Sequence, residues 1–169
     1  MAKETEKDKE CKIDLDELSK QYNELAGKHK LPEFDELAQE FDIEKASEKP
    51  GKYLLRNMRR TMNDKISAYL HLFETFMNPG NAPMFILLML KNATIDDKKD
   101  IEEIYKKLAK IEIITIKLDT IYSEENEARF IRDSFDKWQN MKDKIMELIE
   151  KFDSSFDVNS KAVARGYFG

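Results

Sequence analysis

Arg56, Arg59, Arg60 and Asn63 are the side chains in this sequence best suited to chemistry with a ligand. They lie in a window where Lys49, Lys52, Arg56, Arg59, Arg60 and Lys65 face only one acid, Asp64. At about 3.6 residues per helical turn, Arg56, Arg60, Asn63 and Ser67 share one side, and Arg59 falls at the edge of the apolar arc. A guanidinium presents forked donors that match a phosphate or a carboxylate. Two uses follow. The face could grip the phosphate backbone of RNA or DNA. Alternatively, its arginines could pair with acids of neighbouring helices, notably Glu33, Asp35, Glu36 and Glu40. In that second case Arg59 is partly buried, and truncating it would strand an acid.

Other chemistry finds less to build on. A di-iron site in a helical bundle takes carboxylates from facing helices and two Glu-x-x-His motifs. This chain has two histidines, His29 and His71. His71 and Glu74 share a helix face, but His71 lies nearly opposite the apolar stripe. A zinc site fares no better with one cysteine. Cys11 sits in a charged arm without an evident base to activate it. Gly80 is isolated, and neither a GxGxxG nor a Walker pattern occurs. The acidic pairs Asp96/Asp97, Glu102/Glu103 and Glu124/Glu125 are ordinary helix capping and solvation rather than acid–base machinery. The expectation is therefore no catalytic residue, no metal and no cofactor.

The element that must carry the arginines is a long helix, about 53–77. Leu55, Met58, Met62, Ile66, Tyr69, Phe73, Phe76 and Met77 recur at helical spacing, and Leu54, Leu70 and Leu72 widen the stripe. Asn78-Pro79-Gly80 stops it. After Pro83, the run Met84-Phe85-Ile86-Leu87-Leu88-Met89-Leu90 is apolar on every side. It falls well short of the about 20 residues that span a bilayer. It is expected as a short buried helix, 84–91, plugging the core.

Around this centre the sequence predicts an all-α antiparallel bundle. Leu15, Leu18, Tyr22 and Leu25 mark a first helix ending at Gly27, with Lys28, His29 and Lys30 at its negative end. Phe34, Leu37 and Phe41 mark a second, introduced by Pro32. Thr94 and Asp97 form a capping pair for a long helix, about 95–122. Its Ile111–Asp119 stretch is β-branched enough to suggest a strand. Helix is preferred because Ile101, Ile104 and Leu108 enter it in phase, and its doubly apolar middle is expected deep in the bundle. Ser123 caps a last long helix, about 124–152, ended by Asp153-Ser154-Ser155. Residues 1–12 read as a charged arm, 13–153 as one domain, and 154–169 as a tail that either docks or stays flexible.

The chain has 169 residues, 37% of them charged against the usual share of about 25%. Its abundance of Lys, Glu and Ile resembles the composition of proteins from thermophilic organisms. A formal charge of −5 disfavours broad nucleic-acid binding but leaves room for a local basic patch. A single cysteine excludes an internal disulfide, and the N-terminus has no apolar signal core, so a cytoplasmic location is expected.

The block Leu54-Leu55-Arg56-Asn57-Met58-Arg59-Arg60 through Phe73, followed by Asn78-Pro79, resembles small uncharacterised all-helical proteins of archaea. Leu118-Asp119 and Trp138 are in keeping with it. The resemblance covers about the central two-thirds of the chain and implies a fold but no activity or site residues. Taken together, these features predict a non-catalytic interaction or scaffold protein, with a protein partner, a homo-oligomer as a further form, and no membrane. The alternative is RNA or ribonucleoprotein binding through Arg56, Arg59, Arg60 and Asn63.

Overall fold

A computed structural model describes residues 15–43 and 53–167, with side chains as far as Lys161. The predicted arm 1–12, with Cys11, and the connection holding Lys49 and Lys52 lie outside the described residues. The protein is an all-α helical bundle. Among the described residues there are six α-helices and no strand: α1 (Leu15–His29), α2 (Phe34–Glu40), α3 (Leu54–Met77), α4 (Met84–Leu90), α5 (Ile95–Thr120) and α6 (Glu124–Tyr167). A 3-10 turn, Pro79–Asn81, separates α3 from α4. No helix among the described residues is long and apolar enough to cross a membrane.

The chain forms two compact units. Of the described residues, one takes 15–43 and 53–63 with Leu118–Asp133, and the other takes Asp64–Lys117 with 134–167. In the first, Leu18, Tyr22, Leu37, Phe41, Ile43, Leu55, Met58 and Met62 are buried. The Tyr22 hydroxyl donates to the Pro32 carbonyl at 2.8 Å, which satisfies the one polar atom on that ring. Burial pushes the Tyr22 phenol well above its ordinary range.

Helix α1 does not end at Gly27 as expected. It runs through that glycine to His29, and Lys30 takes the left-handed backbone conformation with φ 53°. The Leu31 amide donates to the Ala26 carbonyl at 3.2 Å, the long bond of a helix C-terminal hook. A lysine therefore occupies a position where glycine is preferred, at a strain of about 1 kcal/mol.

In the second unit, three helices run side by side. Ser67 of α3 donates to Glu112 of α5, and α3's Met77 lines a groove with α5's Ile101, so these two helices are antiparallel. Tyr69 meets Trp138 and Phe76 meets Phe152, so α6 runs with α3 and against α5. Along α6 in this unit, Ser134, Trp138, Met141, Ile145, Leu148, Phe152, Ser155 and Asn159 are buried in alternating steps of four and three, with Phe135 buried beside them. That is the seam of coiled-coil-like packing. The predicted stop at Asp153-Ser154-Ser155 is absent, and α6 continues to Tyr167. No Pro or Gly interrupts it there, and the Ser154 hydroxyl is satisfied by the Glu150 carbonyl one turn back.

The predicted capping pair of α5 forms. The Thr94 amide and hydroxyl both reach Asp97 Oδ2 at 2.7 Å, and the Asp97 amide donates back to Thr94 Oγ1 at 3.2 Å. Two expectations on burial do not hold. Ile111–Asp119 is helix, but its second apolar face is not deep in the bundle: Ile113 is 53% exposed and Ile116 61%. Helix α4 is not a buried plug either, since three of its seven side chains are largely open to solvent.

Candidate functional site

Two of the three guanidinium groups of the arginine face, those of Arg56 and Arg59, are turned inward. Glu127, fully buried on the first turn of α6, accepts from Arg56 Nε at 3.0 Å and Arg59 Nε at 2.6 Å. Arg59 is itself fully buried and donates through Nη2 to Asp119 at 2.6 Å. Arg56 also donates to the Leu118 carbonyl at 3.0 Å, capping the end of α5. Its guanidinium lies 5.0 Å from the Tyr122 ring centre and 6.0 Å from that of Tyr53. Arg60 stays 56% exposed, 3.3 Å from Asp119. Asn63 is half-buried on the same helix. Burial raises the Asp119 carboxyl, but donation from Arg59 and then Arg60 outweighs it and holds it below the ordinary carboxylate value.

The pairing alternative thus describes Arg56 and Arg59, with different partners from those expected. Glu33, Asp35, Glu36 and Glu40 are the near acids in sequence. Asp119 and Glu127, which flank the α5–α6 turn, are the near acids in space. Arg59 Nη1 is buried and finds no acceptor among the described residues.

A second polar cluster carries no signal in the sequence pattern. A cleft of about 590 Å³ is lined by Lys28, His29, Lys30, Glu124, Glu125, Ala128, Arg129 and Arg132. Its charges are answered locally. Glu124 Oε1 takes Lys28 at 2.7 Å and His29 at 2.9 Å, Arg129 donates to Glu125 at 3.2 Å, and Arg132 donates to the His29 carbonyl at 3.4 Å. Lys28 and then His29 hold the Glu124 carboxyl below its ordinary value. The cluster ties the end of α1 to the start of α6. Among the described residues no three His, Cys, Asp or Glu side chains gather as a metal would require.

A surface without such an internal explanation is presented by α4. It forms over the predicted residues, yet its all-apolar sequence is covered on one side only. Ile86 is 2% exposed, while Met84 is 67%, Phe85 51% and Leu87 41% exposed. A seven-residue helix lying on a bundle can press only one side against it, so the remaining sides face water. Beside it, Phe76, Met77, Pro79, Leu90, Ala93 and Ile101 line a groove of about 450 Å³ together with Lys98 and Glu102.

This exposed helix is also fixed in place. The Leu88 carbonyl, near the end of α4, accepts from Asn159 Nδ2 at 3.1 Å and from Ser155 Oγ at 3.4 Å. Asn159 Nδ2 also donates to the Ser155 carbonyl at 2.8 Å, so the amide is aimed by its own helix. Both side chains are nearly buried, at 5% and 9%. They occupy two steps of the α6 seam where apolar residues would otherwise sit. The polar break in that seam is the sequence signal that could have exposed this arrangement. The chain matches no known family model, no curated protein and no solved structure, so neither the archaeal resemblance nor any activity gains support from a relative.

Proposed function

We propose that this chain is a non-catalytic protein-interaction protein and that its docking element is α4. The supporting observation is the combination of exposure and fixation: an apolar helix presents Met84, Phe85 and Leu87 to solvent while a buried Asn159–Ser155 clamp holds its end. Soluble proteins rarely leave contiguous apolar patches above a few hundred Å² without a use for them. At about 25 cal/mol per Å², covering roughly 300 Å² of such surface returns about 7 kcal/mol before the costs of association. Methionines at 77, 84 and 89 suit a surface that adapts to its partner. Fixing the helix beforehand lowers the ordering cost of docking.

RNA or ribonucleoprotein binding through Arg56, Arg59, Arg60 and Asn63 has less to rest on. Two of those guanidinium groups already satisfy carboxylates, which leaves Arg60 as the exposed cation of the set. A cytoplasmic location belongs to the same proposal, supported by the heavily charged composition and the single cysteine.

The test is capture from source-cell extract with the full chain, its Phe85→Asp variant and its Arg60→Glu variant, each at low and high salt. The expected result is a protein partner retained at both salt concentrations, lost with Phe85→Asp and kept with Arg60→Glu. Retention of RNA that weakens steeply with salt and vanishes with Arg60→Glu would overturn the proposal, because phosphate contacts carry that salt dependence.

A further inference from the structure

We infer that the occupant of the α4 face is a second copy of this chain, the two copies meeting about a two-fold axis with Met84, Phe85 and Leu87 at its centre. This rests on the docking role proposed above and names the partner.

The first argument is charge. A two-fold interface sets the same patch against itself, so any charge within it meets its own like. In a chain with 37% charged residues, Thr75 to Leu90 contains none. This uncharged run covers the end of α3, the 3-10 turn and the whole of α4. A face recognising a different charged protein gains specificity from complementary charges. The exposed side chains of this run offer none, so the patch can meet its own copy without like-charge repulsion.

The second argument is area. Met84, Phe85, Leu87 and Met77 are exposed by 67%, 51%, 41% and 45%. They leave on the order of 400 Å² of apolar surface on each copy. Two such patches total roughly 800 Å², and at an apolar share of about 65% they imply an interface of roughly 1,200 Å². That reaches the lower edge of the standard range for stable interfaces, about 1,200–2,000 Å². The groove beside α4 lets the contact extend past the helix itself.

The test is sedimentation equilibrium of the full chain across a wide concentration range, alone and as Phe85→Asp, Leu87→Asp and Ile113→Asp. All three sites are exposed, and circular dichroism checks that each variant remains folded. The expected result is a concentration-dependent dimer. Phe85→Asp and Leu87→Asp each raise its Kd about a hundredfold, since like charges are set face to face. Ile113→Asp leaves it unchanged. A chain that stays monomeric throughout, or a dimer indifferent to both α4 variants, overturns the self-pairing. If the monomer still loses a captured protein with Phe85→Asp, the docking role survives and only the identity of the occupant falls. If capture is also indifferent to Phe85→Asp, both fall.

Discussion

Replacing Glu127 by Gln is expected to destabilise the protein by about 3 kcal/mol, although no contact with any ligand is involved. Glu127 is fully buried and is the shared acceptor of Arg56 and Arg59, at 3.0 and 2.6 Å. Each such pair is attractive by about 4 kcal/mol at an effective dielectric constant near 20. Most of that attraction offsets the cost of taking the charges out of water. Gln keeps the shape and one carbonyl acceptor but removes the charge, leaving the buried Arg59 guanidinium with Asp119 as its one carboxylate partner among the described residues. Since Asp119 is 45% exposed, its compensation is partial. Breaking a buried pair on one side costs about 3–5 kcal/mol, and the retained carbonyl places this change at the low end. For a chain of this size, about 3 kcal/mol lowers Tm by about 6–12 °C.

Urea denaturation followed by far-ultraviolet circular dichroism measures this. Two companion variants make it decisive. Arg60→Ala removes a 56% exposed partner of Asp119 and is expected to cost under about 0.5 kcal/mol. The double variant Arg59→Met with Glu127→Met removes both members of the buried pair and is expected to be more stable than Glu127→Gln alone. A Glu127→Gln loss below about 1 kcal/mol, or a double variant worse than the sum of its parts, would refute the claim that a buried charge is being stranded.

Two further predictions concern helix ends. Gly27 lies inside α1 with nothing within 4 Å of where an alanine methyl would stand, whereas Lys30 holds the left-handed conformation. Gly27→Ala and Lys30→Gly should therefore each stabilise by about 0.5–1 kcal/mol in thermal melts, the opposite of what Gly27 as helix terminator predicts. Asp97→Ala removes the reciprocal cap of α5 and the partner of Lys151, at an expected cost of about 1–2 kcal/mol. Burial opposes the Asp97 charge, but donation from Lys151 and Thr94 prevails and holds its carboxyl below the ordinary 3.8. Its contribution is thus fully present above that value and is lost as pH falls through the lower folded-state value. Urea melts across the acid range should show a steeper decline below about pH 4 for the native chain than for Asp97→Ala.

How much of this was legible in the sequence depends on whether a rule is local. The start and stop of α3, the Thr94–Asp97 cap and the Ser123 cap were all readable, because each is decided by residues within one or two turns. The partners of Arg59 were not. Glu33 to Glu40 are nearer along the chain, and only the antiparallel return of α5 into α6 brings Asp119 and Glu127 to the guanidinium. The end of α6 was misplaced because Asp153-Ser154-Ser155 has the composition of a stop without a residue that forbids helix. Its Ser155 and Asn159 continue the buried seam, and their polarity has a reason only once the Leu88 carbonyl is beside them. Burial of Ile113, Ile116 and α4 failed for a related cause. An apolar side chain states that burial is favourable but does not supply the surface that would cover it. On α5 the two exposed isoleucines lie in a stretch that also carries Lys110 and Lys117. On α4 the apolar side chains have no charged neighbour from Thr75 to Leu90, and a buried polar clamp holds the helix where it is. Where local preference and observed burial disagree this far, and the disagreement is stabilised by other residues, the exposed surface is best explained by something that covers it.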